Sequence, residues 1–336
     1  MTFDPTRFWL GVAASVWISL QAVAADARLL NVSFDVSREF YQAYNPVFAA
    51  HWKATKGGTV TIDQSHAGSS KQARAVIDGL EADVVTFNQV LDMDQVAAKG
   101  LVASDWRKRF PHEGSPFVST IVFLVRKGNP KAIRDWNDLL KPGVSVLIPN
   151  PKTSGNGRYS YLAAYAHALR QPGATRSTAE SFVASLFRKA PVLDAGGRAA
   201  TTTFVQRGIG DVLLTFEAEV GLTLKEAGGD GLELVVPPFS IEAELPVAVV
   251  EPVARRHGNL EIAEGYLAFL YTDAGQEIAA SHFYRPRSKA IAAKYAARFP
   301  SITLFKVEET FGSWAQAQKE HFSEGGVFDR IYTPSK

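Results

Sequence analysis

Along the chain, short apolar runs alternate with stretches in which apolar residues recur every three or four positions. "LLNVSF" (29–34) is continuous enough for a buried strand, and residues 37–53 then carry the helical period, with Pro46 expected to kink or interrupt it. "GTVTID" (58–63), a helix over 69–80, "ADVVTF" (82–87) and a helix over 89–99 repeat the unit. This rhythm predicts an α/β fold built on mostly parallel sheets. A long apolar strand at 119–127 follows, and the rhythm restarts with "VSVLIP" (144–149), "YLAAYAHAL" (161–169), "DVLLTF" (211–216) and "LELVVP" (232–237). After a second lone strand, "LPVAVVE" (245–251), only helices are expected, at 260–271, 275–281 and 312–321. Two lobes joined by two extended crossovers account for this order, with 25–120 and 246–336 forming lobe I and 121–245 forming lobe II. Open α/β sheets bind ligands outside the carboxyl ends of their strands, so the strand-to-helix loops of both lobes are expected to face one cleft.

Composition narrows the class. The 336 residues are 46% hydrophobic, ample for two buried cores. Residues 9–25 are apolar, follow Arg7, and contain the small residues Ala22, Val23 and Ala24, so 1–24 reads as a cleavable signal peptide and the mature chain as an exported one. With no cysteine, disulfides, thiolate nucleophiles and zinc–cysteine sites are excluded. The net charge is +2 with no basic run, which argues against nucleic acid as a partner. Seven histidines lie scattered, without metal-ligand spacing, and no metal or other cofactor is expected.

The candidate chemistry sits in the loops. "NPKTSGNGRYS" (150–160) separates an apolar run from a helical one, and "DQSHAGSSKQA" (63–73), "LDAGGRAATTTF" (193–204) and "FDVSREF" (34–40) have the same small, polar character. A helix N-terminus carries unpaired N–H donors and a partial positive charge, which together favour an anion. Each loop alone needs no more explanation than helix capping. Several in one cleft point to an anion held by donors. Nucleotide phosphate loops are absent from the sequence. Phosphate, which keeps a proton near neutral pH, would need an acceptor; Asp35 is the candidate, with helix capping as its simpler role. His66 beside Ser69 is the candidate base for a hydrolase, and Ser154 a second candidate nucleophile, but no nucleophile-elbow motif supports them. Glu217 and Glu219 read as a solvated element end. Lys152 and Arg158 flank the small residues 153–157, either drawing anions or facing solvent; Arg198 lies among glycines and small residues.

The runs "DVSREF", "DQSHAGSSKQA", "FLVRKGNPKAIRDWNDL", "NPKTSGNGRYSYLAA" and "RGIGDVLLTFEAE" resemble those of the periplasmic sulfate- and thiosulfate-binding proteins that feed ABC importers. The resemblance extends over nearly the whole chain beyond the leader, including "GQEIAASHFYRPR" and "FGSWAQAQKEHF". It implies a two-lobed type II periplasmic binding fold, an oxyanion ligand, inner-membrane permease subunits as partners, a periplasmic location and no catalysis. A monomer is the expectation, because lobe closure needs one copy only. Carried over by motif, Ser69, Ser154, Gly155, Asn156 and Gly197 contact the anion; from the loops themselves, Asp35, Ser37 and Arg198 are candidates to surround them. Sulfate-binding members place a tryptophan where this chain has Phe216, which has no N–H to donate. Asn88 is the candidate replacement donor. "TFEAE", "TSGN" and "FNQV" are similar to the thiosulfate branch. A molybdate or phosphate binder on the same scaffold is the alternative.

Overall fold

The computed structural model describes residues 26–228 and 231–332; the leader expected at 1–24 lies outside them. The chain runs β1 (Ala27–Phe34), α1 (Arg38–Lys56), β2 (Val60–Ala67), α2 (Ser69–Ile77), β3 (Val84–Thr86) and α3 (Val90–Ala98). It continues through β4 (Phe117–Arg126), β5 (Val146–Leu147), α4 (Gly155–Leu169), α5 (Arg176–Arg188), α6 (Gly197–Val205), β6 (Val212–Phe216) and α7 (Glu217–Glu226). Then come β7 (Leu232–Val235), β8 (Phe239–Glu244), β9 (Val247–Val249), α8 (Glu251–Arg256), α9 (Leu260–Phe269), α10 (Asp273–Ser281) and β10 (Arg285–Pro286). The chain closes with α11 (Lys289–Lys294), β11 (Thr303–Phe305), α12 (Val307–Phe311), α13 (Trp314–Ala317) and α14 (Val327–Ile331).

Two sheets result. The first has order β2-β1-β3-β9, with β1 parallel to both neighbours and β9 antiparallel to β3. The second has seven strands on the path β11-β8-β4-β6-β5, with β7 and β10 also paired to β4. In the first, Tyr44 and Phe48 of α1 meet Tyr266 and Phe269 of α9 in an aromatic core that also takes in Phe40. Pro46 does not interrupt α1, which runs unbroken over 19 residues. The acceptor it orphans is the carbonyl of Gln42, and both Gln42 and Pro46 are exposed, so water can satisfy that group.

The C-terminal segment departs from the sequence expectation in two ways. It is not helical throughout, since β10 and β11 are strands. From β11 onward it also packs on the second sheet, whereas 246–336 was expected with the first. Thr303, Leu304 and Phe305 pair in parallel with Phe239, Ser240 and Ile241 of β8. Trp314 packs edge-on against Tyr159 of α4 at 5.0 Å, and Phe328 against Phe187 of α5 at 5.1 Å. These apolar residues cover α4, which is buried along nearly its whole length and needs a partner on every side. Strand β8, "FSIEAE", escaped the sequence reading because its apolar positions merely alternate over six residues.

Candidate functional site

The strand-to-helix loops of both sheets meet. β2 ends at Ala67 and Gly68 turns the chain into α2, whose first residue is Ser69. β5 leads through Pro149–Thr153 to Ser154, the N-cap of α4, whose hydroxyl accepts from the N–H of Gly157 at 3.3 Å. Gly196 caps α6, which starts at Gly197. Asp35–Ser37 form a single 3-10 turn ahead of α1.

Of the seven residues expected to touch a ligand, Ser69, Asn88, Gly155, Asn156 and Gly197 are linked by contacts or chain adjacency, with Ser154 preceding Gly155 in the chain. The backbone N–H of Asn88 donates to the Ser69 hydroxyl at 3.4 Å. The Asn88 side chain lies so close to Gly155 that a Cβ there would overlap its Oδ1. Asn156 follows, and its Nδ2 lies 3.0 Å from the place a Cβ would take on Gly197, with Val36 Cγ2 at 3.3 Å on the same spot. Asn156 Nδ2 also donates to Thr215 Oγ1 at 2.8 Å, which ties it to the residue preceding Phe216. Glycine at 155 is thus required by close approach of backbone and side chain across the cleft. Ser69, Asn88, Ser154, Asn156 and Phe216 are all buried. The Asn156 side chain is spent inside its own lobe, because its Oδ1 accepts from Ser160 at 3.3 Å. What these loops can offer a small ligand is therefore the N–H donors of the first turns of α2, α4 and α6, at three positive helix ends.

The surrounding charges are largely committed to one another. Arg198 forks onto Glu39 at 3.1 and 2.9 Å and sits 3.0 Å from Glu219. Asp35 is half-buried as a residue but its carboxyl end is desolvated, which raises its pKa; the N–H groups of Arg198 and Val36 and the Arg198 guanidinium pull it back. Burial raises Glu219 to about 7, opposed chiefly by Arg198. Ser37 is buried and bonds Ser33 at 2.5 Å and the Phe34 carbonyl at 2.7 Å.

Several expectations need correction. Glu217 and Glu219 are not solvated: both are buried, and Glu217 pairs with Arg285 at 2.6 and 2.8 Å. Arg158 does not face solvent; it crosses to the other lobe, donating to Ser70 and Gln89 at 3.4 Å each, with buried Asp92 at 3.9 Å. Glu39, Gln89 and Asp92 escaped the sequence reading, since an isolated acid or amide on a helix carries no local signal. His66 bonds the Phe34 carbonyl at 3.3 Å and Gln64, and neither Ser69 nor Ser154. Burial lowers its pKa. Among the described residues no group of three acidic or histidine side chains is placed to hold a metal ion.

The model of the bacterial extracellular solute-binding protein family matches residues 32–285. A thiosulfate-binding protein of Pseudomonas aeruginosa is 56% identical over 94% of this chain and 95% of its own length. A sulfate-binding protein of Escherichia coli is 51% identical over 96% of this chain and 98% of its own. Among solved structures, the sulfate-binding protein SubI of Mycobacterium tuberculosis superposes with a TM-score of 0.78 at 33% identity, covering 87% of this chain and 98% of that one. The periplasmic thiamin-binding protein, at 16% identity and a TM-score of 0.65, shares the fold alone. The architecture is that of a type II periplasmic binding protein, and the chain belongs to the family of bacterial extracellular solute-binding proteins.

Proposed function

We propose that this protein captures sulfate or thiosulfate between its two sheets, in the periplasm, and delivers the anion to the permease subunits of an inner-membrane ABC importer without altering it. The observation that carries the reading is the close approach of the loops that open α2, α4 and α6: Asn88 joins Ser69 to Gly155, and Asn156 lies against Gly197, where a Cβ would intrude. A tetrahedral anion stripped of water needs donors on all sides. Half a dozen charge-assisted hydrogen bonds contribute about 1.5–3 kcal/mol each. Their gross sum exceeds the roughly 8 kcal/mol that micromolar binding requires, which leaves room for desolvation. The binding role, rather than hydrolysis by Ser69 or Ser154, is favoured by the commitment of both His66 ring nitrogens to the Phe34 carbonyl and to Gln64. The reading takes one copy of the chain as the working unit.

Phe216 and Asn88 bear on which anion binds. The Phe216 ring supplies no hydrogen bond, which suits the sulfur end of thiosulfate, a weak acceptor. Asn88 Oδ1 is buried without a hydrogen-bond partner. Amide oxygen and nitrogen differ by a flip, and with Nδ2 turned inward Asn88 donates to a fully ionised anion. With Oδ1 inward it would accept from a protonated one, and this favours phosphate as a second reading. Calorimetric titration with sulfate, thiosulfate, phosphate and molybdate separates the two. Thiosulfate or sulfate binding without a phosphate response is expected, and Asn88→Ala is expected to weaken it. Phosphate binding alone would overturn the donor reading.

A further inference from the structure

Lys152 lies in the candidate anion loop two residues before the N-cap Ser154, and its ammonium is bonded to the C-terminal segment. It donates to the carbonyls of Phe322 and Ser323 at 3.0 and 3.3 Å, and to Asp329 at 2.8 Å. All three acceptors belong to one hook, residues 322–329, in the C-terminal segment. The hook is itself fixed: Asp329 also accepts from the Gly325 N–H at 2.9 Å, while Phe322, Val327 and Phe328 are buried. Beyond Lys152, the Thr153 hydroxyl donates to the Ala195 carbonyl at 3.0 Å, and the Asn150 N–H to the Asp194 carbonyl at 2.8 Å. The loops that open α4 and α6 are therefore tied together, and Lys152 ties the pair to a segment about 170 residues further on.

We infer that Lys152 and Asp329 position the anion-binding loop: the C-terminal hook holds the first turn of α4 in register with that of α6. This rests on the anion-binding reading of the same loop. Lys152 acts through geometry, since its charge is matched by Asp329. A lysine next to an anion site has an obvious rival role as a counter-charge, and the two roles predict opposite results at Asp329. If Lys152 worked by charge, Asp329→Asn would free that charge and tighten anion binding. If it works by position, Asp329→Asn releases the loop and weakens binding.

The experiment compares wild type, Lys152→Met, Lys152→Arg, Asp329→Asn and the Met/Asn double variant by calorimetry with sulfate and thiosulfate. Hydrogen exchange at the amides of 153–157 is followed without anion. Outer groups that hold a ligating group in place are worth about 10–100-fold in metal affinity, and the lower end, about tenfold, is expected here. Both single changes should weaken binding, the double variant should be no weaker than either, and Lys152→Arg should restore most of the affinity. Exchange at 153–157 should speed up in the single variants. Tighter binding in Asp329→Asn, or unchanged affinity and exchange in both single variants, would overturn the positioning role. A wild type that binds neither anion would instead remove the functional reading, and the exchange rates would still decide whether the hook anchors the loop.

Discussion

Gly155 shows how a single hydrogen in place of a side chain shapes the cleft. A methyl group there would run into Asn88 Oδ1 and Gln89 Cγ, both presented by the opposite lobe. Gly155→Ala should therefore leave the unliganded protein folded, because opening relieves the clash, while closure over an anion suffers. Overpacking amounts to about 1–3 kcal/mol, so the affinity measured by calorimetry should fall at least about fivefold, with little change in the unfolding midpoint of the unliganded protein. The need for small residues at this place is legible in "KTSGNG", because close backbone approach leaves a compositional mark. The burial of Glu217 and Glu219 is not legible. Each looks like an ordinary solvated acid until the partner is known, and Arg285 lies 68 residues away from Glu217. Buried ions are paired, but sequence alone does not name the pair.

Elements with strong periodicity were readable and those that depend on a distant surface were not. α1, α2 and α3 fall within a few residues of the helices their patterns predict. α4 is buried along nearly its whole length, and the sequence offers no reason why until α5 and the C-terminal segment are seen to wrap it. His321 belongs to that wrapping. It is buried, shares a hydrogen bond with the Tyr161 hydroxyl at 3.0 Å, and is surrounded by the rings of Tyr165, Phe311 and Phe322. Burial, the main cause, lowers its pKa to about 4. The folded ring thus stays neutral where the unfolded one takes up a proton. Its contribution to stability is complete above about pH 6.5 and is lost as the pH falls from there to about 4. Linkage puts the loss at about 3 kcal/mol. Urea unfolding at pH 7 and pH 4 should show a smaller acid loss for His321→Gln than for wild type; parallel losses would mean that the site tolerates the charged ring.

At the scale of the molecule, contacts such as Arg158 to Gln89, Arg198 to Glu39 and Asn88 against Gly155 join the two sheets in this conformation. An anion that binds between them stabilises the whole chain by mass action. At 100 times its dissociation constant the gain is about 2.7 kcal/mol, and the thermal midpoint should rise by several degrees with the bound anion and stay put with one that does not bind. The two-lobed plan was expected from the strand–helix rhythm, but the sequence showed only two passages between lobes. The chain makes three: from β3 into β4, back from β8 to β9, and again from β9 to β10. A door on three hinges set along one line swings about that line and resists twisting. Val118 of β4 pairs with both Glu244 of β8 and Arg285 of β10, so these connections lie side by side, and any parting of the halves would turn about them.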